Sequence, residues 1–131
     1  MANALTGGVT HVMIGVTDMA RSVAFYEETL GRRIVFRVED ELTFLDGGAV
    51  MIGLNAGLAK LRQPVAGATE IVLASEGVKA ACRELAAKGV TIVREPRQAT
   101  ADGQWTATFA DPDGHYLTLF GAPGTAGLTS D

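Results

Sequence analysis

The chain has 131 residues, 47% of them hydrophobic and 20% charged, the balance of one globular domain rather than a disordered chain. Eleven Lys and Arg against 15 Asp and Glu leave a net charge of −4, and only Arg32 and Arg33 stand together as a basic pair. That excludes the basic stripe of a nucleic-acid binder; the short apolar runs exclude a membrane span, and the single Cys82 excludes an intrachain disulfide or a cysteine zinc cage. The first eight residues carry neither a basic n-region nor an apolar h-region, so a cytoplasmic location is expected.

The first element is a strand, His11-Val-Met-Ile-Gly-Val-Thr17, with His11, Met13 and Gly15 on one face and Val12, Ile14 and Val16 on the other. Asp18 is placed to cap a helix. Met19, Val23, Tyr26 and Leu30 recur at helical spacing, which predicts an amphipathic helix over 18–30, stopped by Gly31. Three strands come next, over 34–38, 41–45 and 49–54, with Asp46-Gly-Gly48 as a tight turn between the last two. Residues 56–68, with Pro64 and several small residues, read as a linker.

The order then starts again. Residues 70–74 form a strand. Val78, Ala81, Cys82 and Leu85 mark a second amphipathic helix, ended by Gly89. Three more strands cover 91–94, 104–110 and 115–120, and Asp111-Pro-Asp-Gly114 suits a type I turn between the last two. The tail, 122–131, is small and polar and is expected to fray. The chain is thus a tandem repeat of one β-α-β-β-β unit, module one over 8–55 and module two over 69–121. Laid over each other, the halves put His11 on Glu70, Gly15 on Ala74, Phe44 on Phe109, Asp46 on Asp111, and Ile52 on Thr118. The fold class is α+β: two modules forming a cupped eight-stranded sheet or barrel around a cleft, with the helices outside.

The stretch from His11 through Phe25-Tyr26 to Leu30-Gly31, with Phe109-Ala-Asp-Pro-Asp-Gly-His-Tyr-Leu-Thr-Leu-Phe120, resembles the vicinal oxygen chelate superfamily. That superfamily includes glyoxalase I, bleomycin-resistance proteins, extradiol dioxygenases and methylmalonyl-CoA epimerase, and the resemblance covers residues 8–121. It implies metal ligands at symmetric inward strand positions, which map here onto His11, Ile52, Glu70 and Thr118. Ile52 cannot ligate and Thr118 is a poor neutral ligand. His11 and Glu70 fall short of the three or more donors that a transition metal requires, so no metal and no other cofactor is expected. The resemblance also implies a homodimer, with modules pairing within the chain or swapped between chains.

An imidazole and a carboxylate on symmetry-related strands make a proton-transfer pair. His11 and Glu70 are the candidate catalytic residues. Met13, Val50, Ile52, Leu54, Val72, Trp105, Phe109, Tyr116, Thr118 and Phe120 are the candidate substrate-binding residues. Their apolar and aromatic character suits a hydrophobic small molecule. The expected function is a metal-independent dehydratase, cyclase or isomerase acting on an aromatic or polyketide-like metabolite. The alternatives are a resistance protein that sequesters an antibiotic without chemistry, and a metal-dependent glyoxalase-like lyase. His115, beside the turn, is expected to be packed or exposed, and Cys82 to be a small core filler.

Overall fold

The computed structural model describes Leu5 and residues 8–124. The tail from Thr125 on lies outside the described residues. The chain divides between Gln63 and Pro64 into two compact units. The first carries β1 (His11–Gly15), α1 (Met19–Val23), a π-helical turn (Ala24–Thr29), β2 (Ile34–Val38), β3 (Leu42–Asp46), β4 (Met51–Asn55) and α2 (Ala56–Leu61). The second carries β5 (Glu70–Ser75), α3 (Val78–Ala87), β6 (Thr91–Gln98), β7 (Trp105–Ala110) and β8 (Tyr116–Gly121). Each unit forms one four-stranded sheet, ordered β1-β4-β3-β2 in the first and β5-β8-β7-β6 in the second. β1 runs parallel to β4 and β5 parallel to β8, while the other pairs are antiparallel. The repeat is therefore one of topology as well as pattern. The eight strands form two separate hydrogen-bonded sheets rather than one closed barrel.

Asp18 caps α1 as expected, its Oδ1 accepting the Arg21 N–H at 3.1 Å. The first helix is less regular than its spacing predicts. From Ala24 it widens into a π-helical turn, and the Leu30 N–H reaches the Phe25 carbonyl at 3.0 Å. Tyr26 is fully buried by this turn. Residues 56–61, expected as linker, are helical, because Asn55 Oδ1 accepts the Leu58 N–H at 2.9 Å and caps α2. α2 crosses the end of β1 at Gly15, where a Cβ would stand 3.0 Å from the Ala59 nitrogen.

In each unit one face of the sheet is packed against helices along its length, and the other, called here the uncovered face, meets only α2 at Gly15 in the first unit and the 64–69 loop at Tyr116 in the second. Ile14, Leu45, Ile52 and Leu54 are buried on the covered face of the first sheet, with Thr43 Oγ1 against Met19 Sδ of α1 at 3.4 Å. Ala107, Phe109, Leu117 and Leu119 do the same in the second, beneath Val78, Cys82 and Leu85 of α3. Cys82 is the expected filler, and burial pushes its thiol pKa up. No described helix is long and apolar enough to cross a membrane.

The β3–β4 turn is held by Asp46. Its carboxylate lies below the usual 3.8 because Oδ1 accepts the Gly48 N–H and Oδ2 accepts from Arg33 at 3.1 Å. An acid held below its unfolded value stabilises the fold above that value and loses the contribution as pH falls through the folded one. Urea unfolding of Asp46→Asn from pH 6 down to about 2 should therefore lose stability less steeply below about 3.8 than the parent. Equal slopes would remove Asp46 from the acid response.

Candidate functional site

The uncovered face of the first sheet is set by the ladder. His11 pairs with Met51, Met13 with Gly53, and Gly53 in turn with Phe44. His11, Met13, Gly53, Phe44 and Phe36 therefore share this face. The His11 ring meets Phe44 edge-on at 5.0 Å between centroids, and Phe36 stacks on Phe44 at 6.1 Å. His11 Nδ1 is tied to the Thr10 hydroxyl at 2.6 Å. That bond engages one of the two ring nitrogens, and Nε2 meets no hydrogen-bond partner among the described residues.

On the second sheet, Glu70 pairs with Tyr116, and Val72 with Thr118, which faces Thr108. Ala74 pairs with Phe120, which faces Thr106. Glu70, Val72, Thr108, Tyr116, Thr118 and Phe120 therefore share the uncovered face. Glu70 Oε2 accepts from Thr118 Oγ1 at 2.6 Å, and Thr118 Oγ1 lies 2.8 Å from Thr108 Oγ1. The Tyr116 ring packs under the 64–69 loop, where a Cβ at Gly67 would stand 3.0 Å from its Cζ. Val72 and Phe120 stay open at 58% and 40% exposure.

Several expected site residues lie elsewhere. Ile52 pairs with Val12 and Leu54 with Ile14, so both point to the covered face, away from His11 and Met13. Phe109 pairs with Leu117 and is 1% exposed, in the core beneath α3. Trp105 shares its strand face, and Lys79 Nζ of α3 sits 4.5 Å over its ring. Val50 lies in the turn before β4. His115 is buried, its N–H on Asp111 Oδ1 at 2.9 Å. Met13, Val72, Tyr116, Thr118 and Phe120 do lie on the uncovered faces with His11 and Glu70. The sequence reading missed Phe36, Phe44 and Thr108. For Thr108 the signal was present: along β7, Thr106, Thr108 and Ala110 alternate with Trp105, Ala107 and Phe109.

The ladder also corrects the repeat. Gly53 stands to Met13 as Thr118 stands to Val72, so the fourth-strand counterpart of Thr118 is Gly53 and not Ile52. Phe44 is likewise the counterpart of Thr108 rather than of Phe109. The ligand positions that the resemblance implies are therefore His11 and Gly53 in the first unit, and Glu70 and Thr118 in the second. Gly53 has no side chain, and a Cβ there would run into the Met13 thioether and stand 3.2 Å from Phe44 Cε1. Thr118 already commits its proton to Glu70. Among the described residues no three His, Cys, Asp or Glu side chains gather as a metal site. Neither unit supplies at these positions a donor set that fits a divalent transition metal.

The sequence profile of the glyoxalase/bleomycin resistance protein/dioxygenase superfamily matches residues 8–119. Lactoylglutathione lyase of Haemophilus influenzae is 28% identical over 120 residues, which cover 83% of this chain and 88% of that one. A solved member of the superfamily from Sphaerobacter thermophilus has the same fold, with TM-score 0.72 and 23% identity over 89% of this chain and 98% of that one. So has TnmS3, an antibiotic binding protein from Streptomyces sp. CB03234, with TM-score 0.70 and 21% identity over 93% of this chain and 100% of that one. With its profile matched over most of its length and its two βαβββ units in the same arrangement of strands, the chain belongs to the glyoxalase/bleomycin resistance protein/dioxygenase superfamily.

Proposed function

We propose that the protein is a metal-independent acid–base enzyme of the dehydratase, cyclase or isomerase type, acting on a hydrophobic, oxygenated metabolite of aromatic or polyketide-like character. The observation that carries this reading is the 2.6 Å bond from Thr118 to Glu70, which holds a carboxylate on an uncovered sheet face. A carboxylate needs such a partner to stay oriented, and one held this way is prepared for proton transfer. His11, with one ring nitrogen bonded to Thr10, is the second proton-transferring group. In the reaction, one group removes a proton from carbon and the C–H electron pair becomes a carbon–carbon double bond. The other group gives a proton to the carbonyl oxygen, yielding an enol, or to a departing hydroxyl, yielding water. Val72, Phe120, Phe36 and Phe44 supply apolar surface for the ligand.

A second reading, sequestration of an antibiotic without chemistry, draws support from the same open apolar side chains and from the antibiotic binding protein of the same fold. The lyase named among the relatives supports a third, metal-dependent reading, which Gly53 and Thr118 weigh against. We also infer a homodimer, which light scattering of the purified protein checks.

The deciding experiment incubates chelator-stripped protein with a panel of aromatic polyketide aglycones and tracks them by mass spectrometry. An isomeric or dehydrated product formed without metal is the expected result. A ligand bound and recovered unchanged would favour sequestration. Turnover that needs added nickel, zinc or iron would overturn the metal-free reading.

A further inference from the structure

We propose that Thr108 is a positioning residue that, through Thr118, sets Glu70 as the base, an inference that rests on the acid–base reading above. Each threonine hydroxyl has one proton and can accept in return, whereas an ionised carboxylate only accepts. Thr118 Oγ1 donates to Glu70 Oε2 at 2.6 Å, and that uses its only proton. The 2.8 Å contact between Thr108 and Thr118 must then run from Thr108 to Thr118. Thr108 thus commits the Thr118 proton to the carboxylate. Both hydroxyls belong to buried residues, 3% and 6% exposed, so water competes poorly for either.

The consequence falls on Glu70. Oε2 is occupied, and Oε1 meets no hydrogen-bond partner among the described residues, so Oε1 is the oxygen that takes the substrate proton. A carboxylate held by one directed donor keeps its other oxygen in a fixed direction, which is the geometry a base needs. Module one offers no such support at the matching positions. There Phe44 and Gly53 stand in place of Thr108 and Thr118, and the Met13 thioether fills the space. An edge-on phenyl ring orients His11 without accepting or supplying a proton. At these two matched positions the modules differ: two hydroxyls line up behind the carboxylate, while Phe44 and Gly53 lie on the imidazole's face and its hydroxyl partner, Thr10, is the residue just before its own strand.

The test reads Glu70 directly. In protein labelled with ¹³C-glutamate, the Glu70 Cδ resonance is assigned by its loss in Glu70→Gln. Thr108→Val and Thr118→Val should both displace that resonance, and Thr108→Ser should restore its position. Thr108→Ala serves where the valine variant does not fold. With any substrate the panel yields, Thr108→Val should lower kcat about tenfold with KM unchanged, and Thr108→Ser should recover it. A resonance that moves in Thr118→Val and stays in place in both Thr108→Val and Thr108→Ala would overturn the role of Thr108, whatever the protein turns over. A panel without turnover would instead overturn the acid–base reading, and with it the base assignment, while the resonance still reports whether Thr108 sets the carboxylate.

Discussion

Glu70→Gln is expected to lower turnover by about 10²–10⁴-fold while the protein stays folded, the range for losing one general acid–base group. The amide is nearly isosteric with the carboxylate, and its carbonyl oxygen still accepts from Thr118, which now donates at 2.6 Å to Oε2. Shape and hydrogen bond both persist, so the loss isolates the proton-accepting role. Glu70 lies at the exposed start of β5. Initial rates on chelated protein, beside circular dichroism and a melting curve, make the measurement. A folded Glu70→Gln variant with the parent rate would remove Glu70 from the chemistry. His11→Ala gives a useful contrast: it deletes the ring against Phe44 and leaves the Thr10 hydroxyl without its partner, so activity and local packing fall together.

The tandem repeat and its element order were legible in the sequence because periodicity reports helices and strands directly. Ile34–Val38 and the core stripe Val78, Cys82, Leu85 were read within a residue of where they lie. The register was not legible to the same precision, and turn chemistry explains one of two slips. Asp46-Gly-Gly and Asp111-Pro-Asp-Gly look equivalent, yet Asp46 is the last residue of β3 while Asp111 comes after the end of β7. Residues 47–50 join β3 to β4, and residues 111–115 join β7 to β8, one residue more. Superposing the two aspartates therefore shifts one strand against its counterpart by a single position. A shift of one turns every side chain on a strand to the other face. The aspartate superposition thus shifts β3 against β7, which puts Phe109 in the place of Thr108 and hides Phe44, but it leaves β4 on β8; pairing Ile52 with Thr118 instead of Gly53 is a separate slip of one residue along β4. The π-helical turn at Ala24–Thr29 was hidden for another reason: spacings of three and four suit an α-helix and a helix widened by one residue alike.

The corrected register has a consequence for stability that can be measured without any ligand. Phe109→Ala is expected to cost about 3–5 kcal/mol, since a buried phenyl is lost and a cavity remains. Phe109 is 1% exposed, stands between Ile92 and Leu117 on the ladder, and faces the core beneath α3. Domains of this size are stable by only about 5–15 kcal/mol, so the variant should lose about a fifth of its stability or more. Phe44→Ala is the matched control. Phe44 lies on the uncovered face, against His11 and Phe36, where truncation leaves an open surface rather than a sealed void. It should cost clearly less, about 1–2 kcal/mol, for the apolar contact alone. Denaturant unfolding of the two variants side by side makes the comparison. Equal costs would mean that both rings have the same surroundings, and the assignment of Phe109 to the core and Phe44 to the uncovered face would fail.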